Sequence, residues 1–310
     1  MSSHEVRSSL TTRAAMASVA AATVLLLLKT FAAWETGSVA MLGSLADTSL
    51  DLIASLITLM GVRVAAMPAD RHHRFGHGKA EALAALVQAI LISLSAIALA
   101  WRAVTRQVHG EPTSDPAHGI IVSLVAIVIT FALLAYQKSV IRRTGSVAIG
   151  ADAVHYQSDL LLNLSVIAAL ALEQYGGLIG ADPLFGLAIA LWLIVAARRA
   201  SARAVDQLMD REWPDEKRRR FVEVAARHPQ GRGIHDLRTR SSGSDEFAQF
   251  HIWIDPQMTV AEAHDVMEEI EDDLAKEFPG VEVLIHLDPE GQVDQPGNLL
   301  VETDETKKGS

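Results

Sequence analysis

Cysteine is absent from all 310 residues, so no disulfide framework is possible, and any metal site must be built from His, Asp or Glu. Without thiolates, soft cations such as Cu(I) are poor candidates. Basic charge is also in short supply: 27 Lys and Arg stand against 37 Asp and Glu, a formal net charge of −10. Nucleic-acid binding needs a basic face, and this balance argues against it. A signal-peptide cleavage site is missing as well. The stretch MSSHEVRSSLTTRAAMASVAAATVLLLLKTF begins like a leader, yet its apolar run continues through Trp34 with no small-x-small site behind it. It reads as a first membrane helix.

What the chain does have is apolar length. Crossing the hydrocarbon core takes roughly 20 residues, and six segments reach that, at about 14–34, 38–62, 80–104, 117–138, 146–172 and 178–198. Basic residues gather in alternate loops. Arg63, Arg71, Arg74 and Lys79 follow the second segment, Lys138, Arg142 and Arg143 the fourth, and Arg198, Arg199 and Arg203 the sixth. The opposite loops (WETG, Arg106 to Pro116, and EQYGGLIGAD) have few. The positive-inside rule then predicts that both termini are cytoplasmic.

From about Ala202 the patterning is that of a soluble domain. A helix is predicted from Pro214-Asp215-Glu216 to about Arg227. HDLRTRSS and EFAQFHIWID read as paired strands around a Ser-Gly-Ser turn. Thr259 and Glu262 form a capping box for a helix ended by Pro279-Gly280, and VEVLIHLDP reads as a third strand. The expected fold is therefore a membrane α-helical domain of six transmembrane helices, followed by a cytoplasmic α+β domain, αββαβ and ferredoxin-like in outline. The predicted divisions are a cytoplasmic tail at 1–13, the six-helix domain at 14–200, the soluble domain at 201–290 and a polar, disordered tail at 291–310.

Two of the apolar segments carry ionisable pairs. Asp47 and Asp51 lie in GSLADTSLDLIASLITLMG; His155 and Asp159 lie in ADAVHYQSDLLLNLSVIAALAL. Each such group costs roughly 2.5–3.5 kcal/mol at bilayer depth even on lenient scales. The i, i+4 spacing puts each pair on one helix face, and three carboxylates with an imidazole make a four-ligand cage for a divalent metal. A second set, Asp70, His73 and His77 with His72 beside them, occupies RHHRFGHGK and reads either as a small metal site or as a basic interfacial loop. A third is His235, His251, His264, His286 and Asp288 in the soluble domain. Residues 286 and 288 share a strand face by the two-residue period.

The D-x3-D and H-x3-D pairs on six spans, followed by αββαβ, resemble the cation diffusion facilitator family, and most of all its bacterial zinc and iron efflux branch. The resemblance covers about residues 12–290 and includes the loop FGHGKAEALAAL from Phe75. It implies a transport site at Asp47, Asp51, His155 and Asp159 that carries Zn²⁺, with Cd²⁺, Fe²⁺ or Co²⁺ also possible. The second histidine of eukaryotic zinc-selective relatives is absent, so strict rejection of Cd²⁺ is not expected. It further implies exchange of one cation against protons, with His155 the main coupling residue and Asp51 its partner. A loop site at Asp70, His73 and His77 and a binuclear zinc cluster in the soluble domain belong to the same expectation. So do a homodimer in the bacterial inner membrane and salt bridges joining protomers through Lys79, Glu81, Asp210 and Arg211. Gly43, Gly145 and Gly150, with Ser44, Ser49 and Ser146, are expected to let the second and fifth helices approach closely. Two other classes compete with a non-enzymatic transporter. One is a membrane metal sensor or scaffold that does not transport; the other is an intramembrane aspartyl protease, whose Gly-x-Gly-Asp signature is missing.

Overall fold

The computed structural model describes residues 3–36, 39–109, 120–176, 181–230 and 232–290. The chain divides into a helical unit, Arg7–Asp206, and an α/β unit that takes Gln207–Ser310 together with Met1–Val6. The expected tail at 291–310 lies outside the described residues.

The helical unit is built from α1 (Ser3–Thr36), α2 (Val39–Ala65), α3 (Lys79–His109), α4 (Ile120–Thr144), α5 (Val147–Gly176) and α6 (Ala181–Leu208). Five of these contain stretches long and apolar enough to cross a membrane: Glu5–Glu35, Ser44–Ala65, Lys79–Thr105, Leu124–Thr144 and Pro183–Leu208. The remaining helix, α5, is 30 residues long and carries Asp152, His155 and Asp159 in its first half. Helix ends overrun the apolar stretches. α1 starts at Ser3 where a tail through residue 13 was predicted, because SHEVRSSLTTR contains no Gly or Pro to stop it. α6 likewise continues to Leu208.

Side chains are sorted by size. Leu27, Phe31, Trp34, Met60, Trp101 and Phe131 are exposed, whereas Ala14, Ala85, Ala89, Ala151 and Ala204 are fully buried. Large apolar groups outward and small ones at helix contacts is the arrangement a lipid solvent favours. The glycines at close contacts are not the ones expected from the sequence. A Cβ at Gly145 or Gly150 would meet nothing within 4 Å, but one at Gly61 would collide with the Ala84 methyl, and one at Gly186 would come within 3.2 Å of Ala103. The tight contacts therefore press α2 and α6 onto α3; neither Gly145 nor Gly150 makes a close contact, and the surroundings of Gly43 lie outside what is described. We expect Gly61→Val to lower the thermal midpoint in detergent. Gly150→Ala should be neutral or stabilising by up to ~1 kcal/mol, the helix-propensity gain.

The turn into α5 has its own logic. Gly145 adopts φ +67° and donates its N–H to Ile141 O at 2.8 Å, ending α4. Ser146 then caps α5, its Oγ accepting the Ile149 N–H at 3.1 Å. Ser146 Oγ donates in turn to Glu81 of α3, which also accepts the N–H groups of Val147 and Ala148. Glu81, read from the sequence as part of a surface salt-bridge network, is in fact buried and closes the start of α5.

In the α/β unit, α7 (Asp215–Ala225), β1 (Arg232–Ser242), β2 (Asp245–Ile254), α8 (Val260–Glu277) and β3 (Val281–Pro289) follow the predicted αββαβ order. The sheet runs β1-β2-β3, with β1 antiparallel to β2 and β2 parallel to β3, so α8 is the crossover that a parallel pair requires. Thr259 caps α8 with Glu262 reciprocating, as predicted. Phe221 and Val224 of α7 and Ile270 and Leu274 of α8 share one core with Ile234, Phe250, Ile252 and Ile285 of the sheet. The alternate residues His235, His251 and His286 therefore lie on the sheet's other face.

Candidate metal centres

Among the described residues, three groups bring His and carboxylate donor atoms within 4.8 Å of one another: Asp51, His155 and Asp159; Asp70, His73 and His77; His235, His251 and Asp288.

The first group spans α2 and α5. His155 Nε2 lies 2.9 Å from Asp51 Oδ1, and Asp159 one turn further along α5 completes the set. His155 is buried and the two carboxylates are half-buried. Backbone groups here are satisfied locally, Ser158 Oγ donating to His155 O at 2.6 Å and Asn163 Nδ2 to Asp159 O at 2.7 Å. Asp47 stands apart from the trio. One helical turn offsets it by about 5–6 Å, its side chain is 61% exposed, and its nearest cationic partner is Arg102 at 3.9 Å. Lys29 of α1 reaches the same region, donating to Thr48 Oγ1 at 2.6 Å.

Directly preceding the trio on α5 is a polar layer that the sequence reading missed. Asp152 is fully buried. Its Oδ2 accepts from Ser18 Oγ of α1 at 2.6 Å and from Gln137 Nε2 of α4 at 2.7 Å, and its Oδ1 faces Gln88 Nε2 of α3 at 3.5 Å. Gln88 also donates to Ala54 O and to Thr58 Oγ1 of α2, each at 2.8 Å. Tyr156 OH donates to Ser18 O at 3.0 Å and sits 2.8 Å from Ser55 Oγ. Five helices meet in this layer. The available signal was Gln88 and Gln137 inside otherwise apolar runs.

The second group is a turn in the α2–α3 loop. Asp70 Oδ1 accepts the backbone N–H of His72 at 2.8 Å and of His73 at 2.7 Å, a side-chain-closed turn. These two bonds hold the Asp70 carboxyl below the usual carboxylate range. His77 Nδ1 donates to Met67 O at 3.4 Å, leaving Nε2 turned toward Asp70 at 3.4 Å and His73 Nδ1 at 3.1 Å. His72 contributes its backbone N–H to this turn. A depressed carboxylate contributes above its unfolded pKa and is lost only as pH falls through the lower folded value. The Asp70 carboxyl therefore stays ionised in mildly acidic solution and remains available to a cation there. We expect Asp70→Asn to weaken zinc binding to the loop, as read by a zinc-indicator titration at pH 7.

The third group is set by strand register. His235 pairs with His251 and His251 with His286, so three imidazoles stand in one row across the sheet. Bulges flank His235: residues 233–234 oppose one residue of β2, and residues 236–237 oppose another. The first bulge uses Gly233 at φ +57°, where any Cβ would strike the Trp253 ring; the second sets Asp236 at φ +48°. His235 Nδ1 donates to Gly233 O at 2.7 Å, which leaves the Nε2 lone pair facing Asp288 Oδ2 at 3.3 Å. A proton or a metal ion between the two atoms would turn that contact into an attractive one. His251 Nδ1 lies 2.8 Å from the same Oδ2, and His286 Nε2 lies 3.3 Å from Oδ1, so one carboxylate joins three imidazoles. Asp236, not picked out from the sequence, comes within 3.8 Å of His251 Nε2. His264 lies outside the group; it is 56% exposed and faces Glu268 of its own helix at 3.3 Å. Asp210 adopts φ +55° and lies 3.8 Å from Arg240, while Lys79 opens α3.

Comparison with known proteins matches both halves of this arrangement. The family model of the cation efflux transmembrane domain covers residues 15–209, and that of the cation efflux protein cytoplasmic domain covers residues 213–290. The cation-efflux pump FieF of Cronobacter sakazakii is 44% identical over 280 residues, 90% of this chain and 93% of its own. The pump of the same name from Escherichia fergusonii is 43% identical over 288 residues, 93% of this chain and 96% of its own. Among solved structures, the metal-bound C-terminal domain of the CzcD transporter from Thermotoga maritima is 27% identical, covering 26% of this chain and 99% of its own with a TM-score of 0.25. A chain that matches both family domains, and such relatives over nearly their whole length, is a cation efflux transporter and belongs to the cation diffusion facilitator family.

Proposed function

We propose that this transporter exports divalent transition metals, Zn²⁺ foremost, with Cd²⁺, Fe²⁺ and Co²⁺ also accepted. Export runs from the cytoplasm in exchange for protons, by a homodimer in the bacterial inner membrane with both termini cytoplasmic. One observation carries the reading: His155 Nε2 and Asp51 Oδ1 lie 2.9 Å apart between two membrane-length helices, with Asp159 alongside. A proton can bridge that pair of atoms, or a metal can, but not both at once. Competition for the same donors is what an exchanger needs. His155 and Asp51 are thus the coupling pair, and Asp47 becomes a fourth ligand when its carboxylate leaves Arg102.

The loop trio Asp70, His73 and His77 is a second metal site, with an open position that suits exchangeable binding. In the α/β unit, His235, His251 and Asp288 would hold zinc. The carboxylate of Asp288 would be shared with a second ion at His286, toward which His264 would have to turn from Glu268. Lys79 and Asp210 are the proposed contacts between protomers. The domain limits follow the sequence divisions, with α1 and α6 extending beyond the membrane-spanning part.

The reading is tested by flux into proteoliposomes under an imposed pH gradient, with Zn²⁺, Cd²⁺, Fe²⁺, Co²⁺ and Mn²⁺ in parallel. Zinc flux should fall when the gradient is collapsed and be absent from an Asp47/Asp51 double variant. Full gradient-driven zinc uptake by His155→Ala in inverted vesicles would sink the assignment of coupling to that residue.

A further inference from the structure

We propose that the buried cluster around Asp152 is a second proton site of the transporter, one that never ligates the metal and gives up its proton when a cation loads beside His155. It rests on the exchange reading above and adds a residue to it.

The cluster has too few hydrogens. Asp152 offers two carboxylate oxygens, and its partners Ser18, Gln137 and Gln88 are all neutral. Both glutamine amides point their NH₂ groups into the cluster, yet the carbonyl oxygens of Gln88 and Gln137 are buried and have no donor among the described residues. Buried acceptors left in this way are uncommon and call for an explanation. A proton on Asp152 supplies a donor for one of the two: the carboxylic O–H donates to a glutamine carbonyl once that amide turns over, and amide orientation is set only by such networks. With the proton gone, that amide turns back and the carboxylate accepts from Ser18 and Gln137, as seen here.

The position couples the cluster to the transport site. Asp152 lies three residues before His155, about 4.5 Å along the axis of α5. The charged groups acting on it are His155 from its own helix and Asp51 from α2. Asp159 and Tyr156 lie further along α5; toward Asp152, α1 presents Ser18, α3 presents Gln88 and α4 presents Gln137. A divalent cation held by Asp51, His155 and Asp159 brings positive charge to within about one helical turn of Asp152, which favours the carboxylate over the carboxylic acid. The proton leaves the carboxylic O–H and is finally taken up by bulk solvent, its bonding pair staying on the oxygen. By reciprocity, a proton on Asp152 weakens cation binding by the same factor. One ion can thus be exchanged for more protons than its own ligands release.

Calorimetry on the purified full-length protein in nanodiscs tests this, with zinc titrated between pH 6 and 7.5 in buffers of different protonation enthalpy. Asp152→Asn should bind as many zinc ions as wild type but release fewer protons, by up to about one per transported ion. Asp51→Ala is the reference for the site itself. If that variant binds as many ions as wild type, the exchange reading fails and this proposal with it. If Asp51→Ala loses the ion while Asp152→Asn releases the wild-type proton count, only the Asp152 proposal is overturned. Ser18→Ala decides the matter should Asp152→Asn not fold. It removes a donor to the ionised carboxylate, so the pH midpoint of zinc loading should rise by a few tenths to about one unit, a severalfold change in proton affinity. An unmoved midpoint overturns the proposal.

Discussion

Inverted vesicles carrying Asp159→Asn are expected to take up zinc at less than about a hundredth of the wild-type rate. Loss of an outer-shell partner alone costs 10–100-fold in a metal site, and Asp159 belongs to the proposed ligand trio itself. The amide is nearly isosteric with the carboxylate in a half-buried position, so the helix should persist while one charge and one anionic donor are lost. Asp47→Asn is the informative contrast. Asp47 is 61% exposed and lies 3.9 Å from Arg102, so as a ligand that joins only after leaving Arg102 it should matter less, and its replacement should reduce uptake less. Equal losses for the two would mean that Asp47 holds the ion as firmly as the trio does. A dead Asp47→Asn beside an active Asp159→Asn would contradict the trio.

The second large effect lies in the α/β unit. The Phe221 ring packs against Trp213 at 5.7 Å, Phe250 at 5.7 Å and Phe278 at 5.3 Å between ring centroids, and it is fully buried. Phe221→Ala removes that hub and leaves a cavity, at a cost of about 3–5 kcal/mol. Against a total stability of roughly 5–15 kcal/mol for a domain, that is enough to unfold a marginal one. Limited proteolysis of the full-length protein should show cleavage in α7 or β1 at temperatures where the wild type resists. Phe221→Leu should recover most of the resistance, and a Phe221→Ala protein as resistant as wild type would refute the placement of the core.

What could be read in advance depended on how local its cause is. The capping box of Thr259 and Glu262, the third strand Val281–Pro289 and the grouping of Asp70, His73 and His77 each arise within a few residues and were legible. The i, i+4 rule aligned Asp47 with Asp51 and His155 with Asp159, but it does not say which turn meets the neighbouring helix, and Asp47 stands apart from the trio in this structure. His264 stands apart from the strand histidines for a similar reason, because a helix position next to a histidine-bearing strand does not fix the direction of the side chain. The Asp152 layer was invisible. Ser18 and Asp152 are 134 residues apart, and nothing local in an apolar run tells a glutamine which helix its amide will meet. The bulges around His235 were equally hidden, since they follow from the fit of Gly233 against the Trp253 ring.

The closure of α5 by Glu81 has an evolutionary consequence. Ser146 replaced alone would leave a buried carboxylate short of its hydroxyl donor, and Glu81 replaced alone would leave the first N–H groups of α5 without their acceptor. Each single change is costly, whereas a paired change can restore the balance. Across related sequences, positions 81 and 146 should therefore vary together, although 65 residues separate them along the chain.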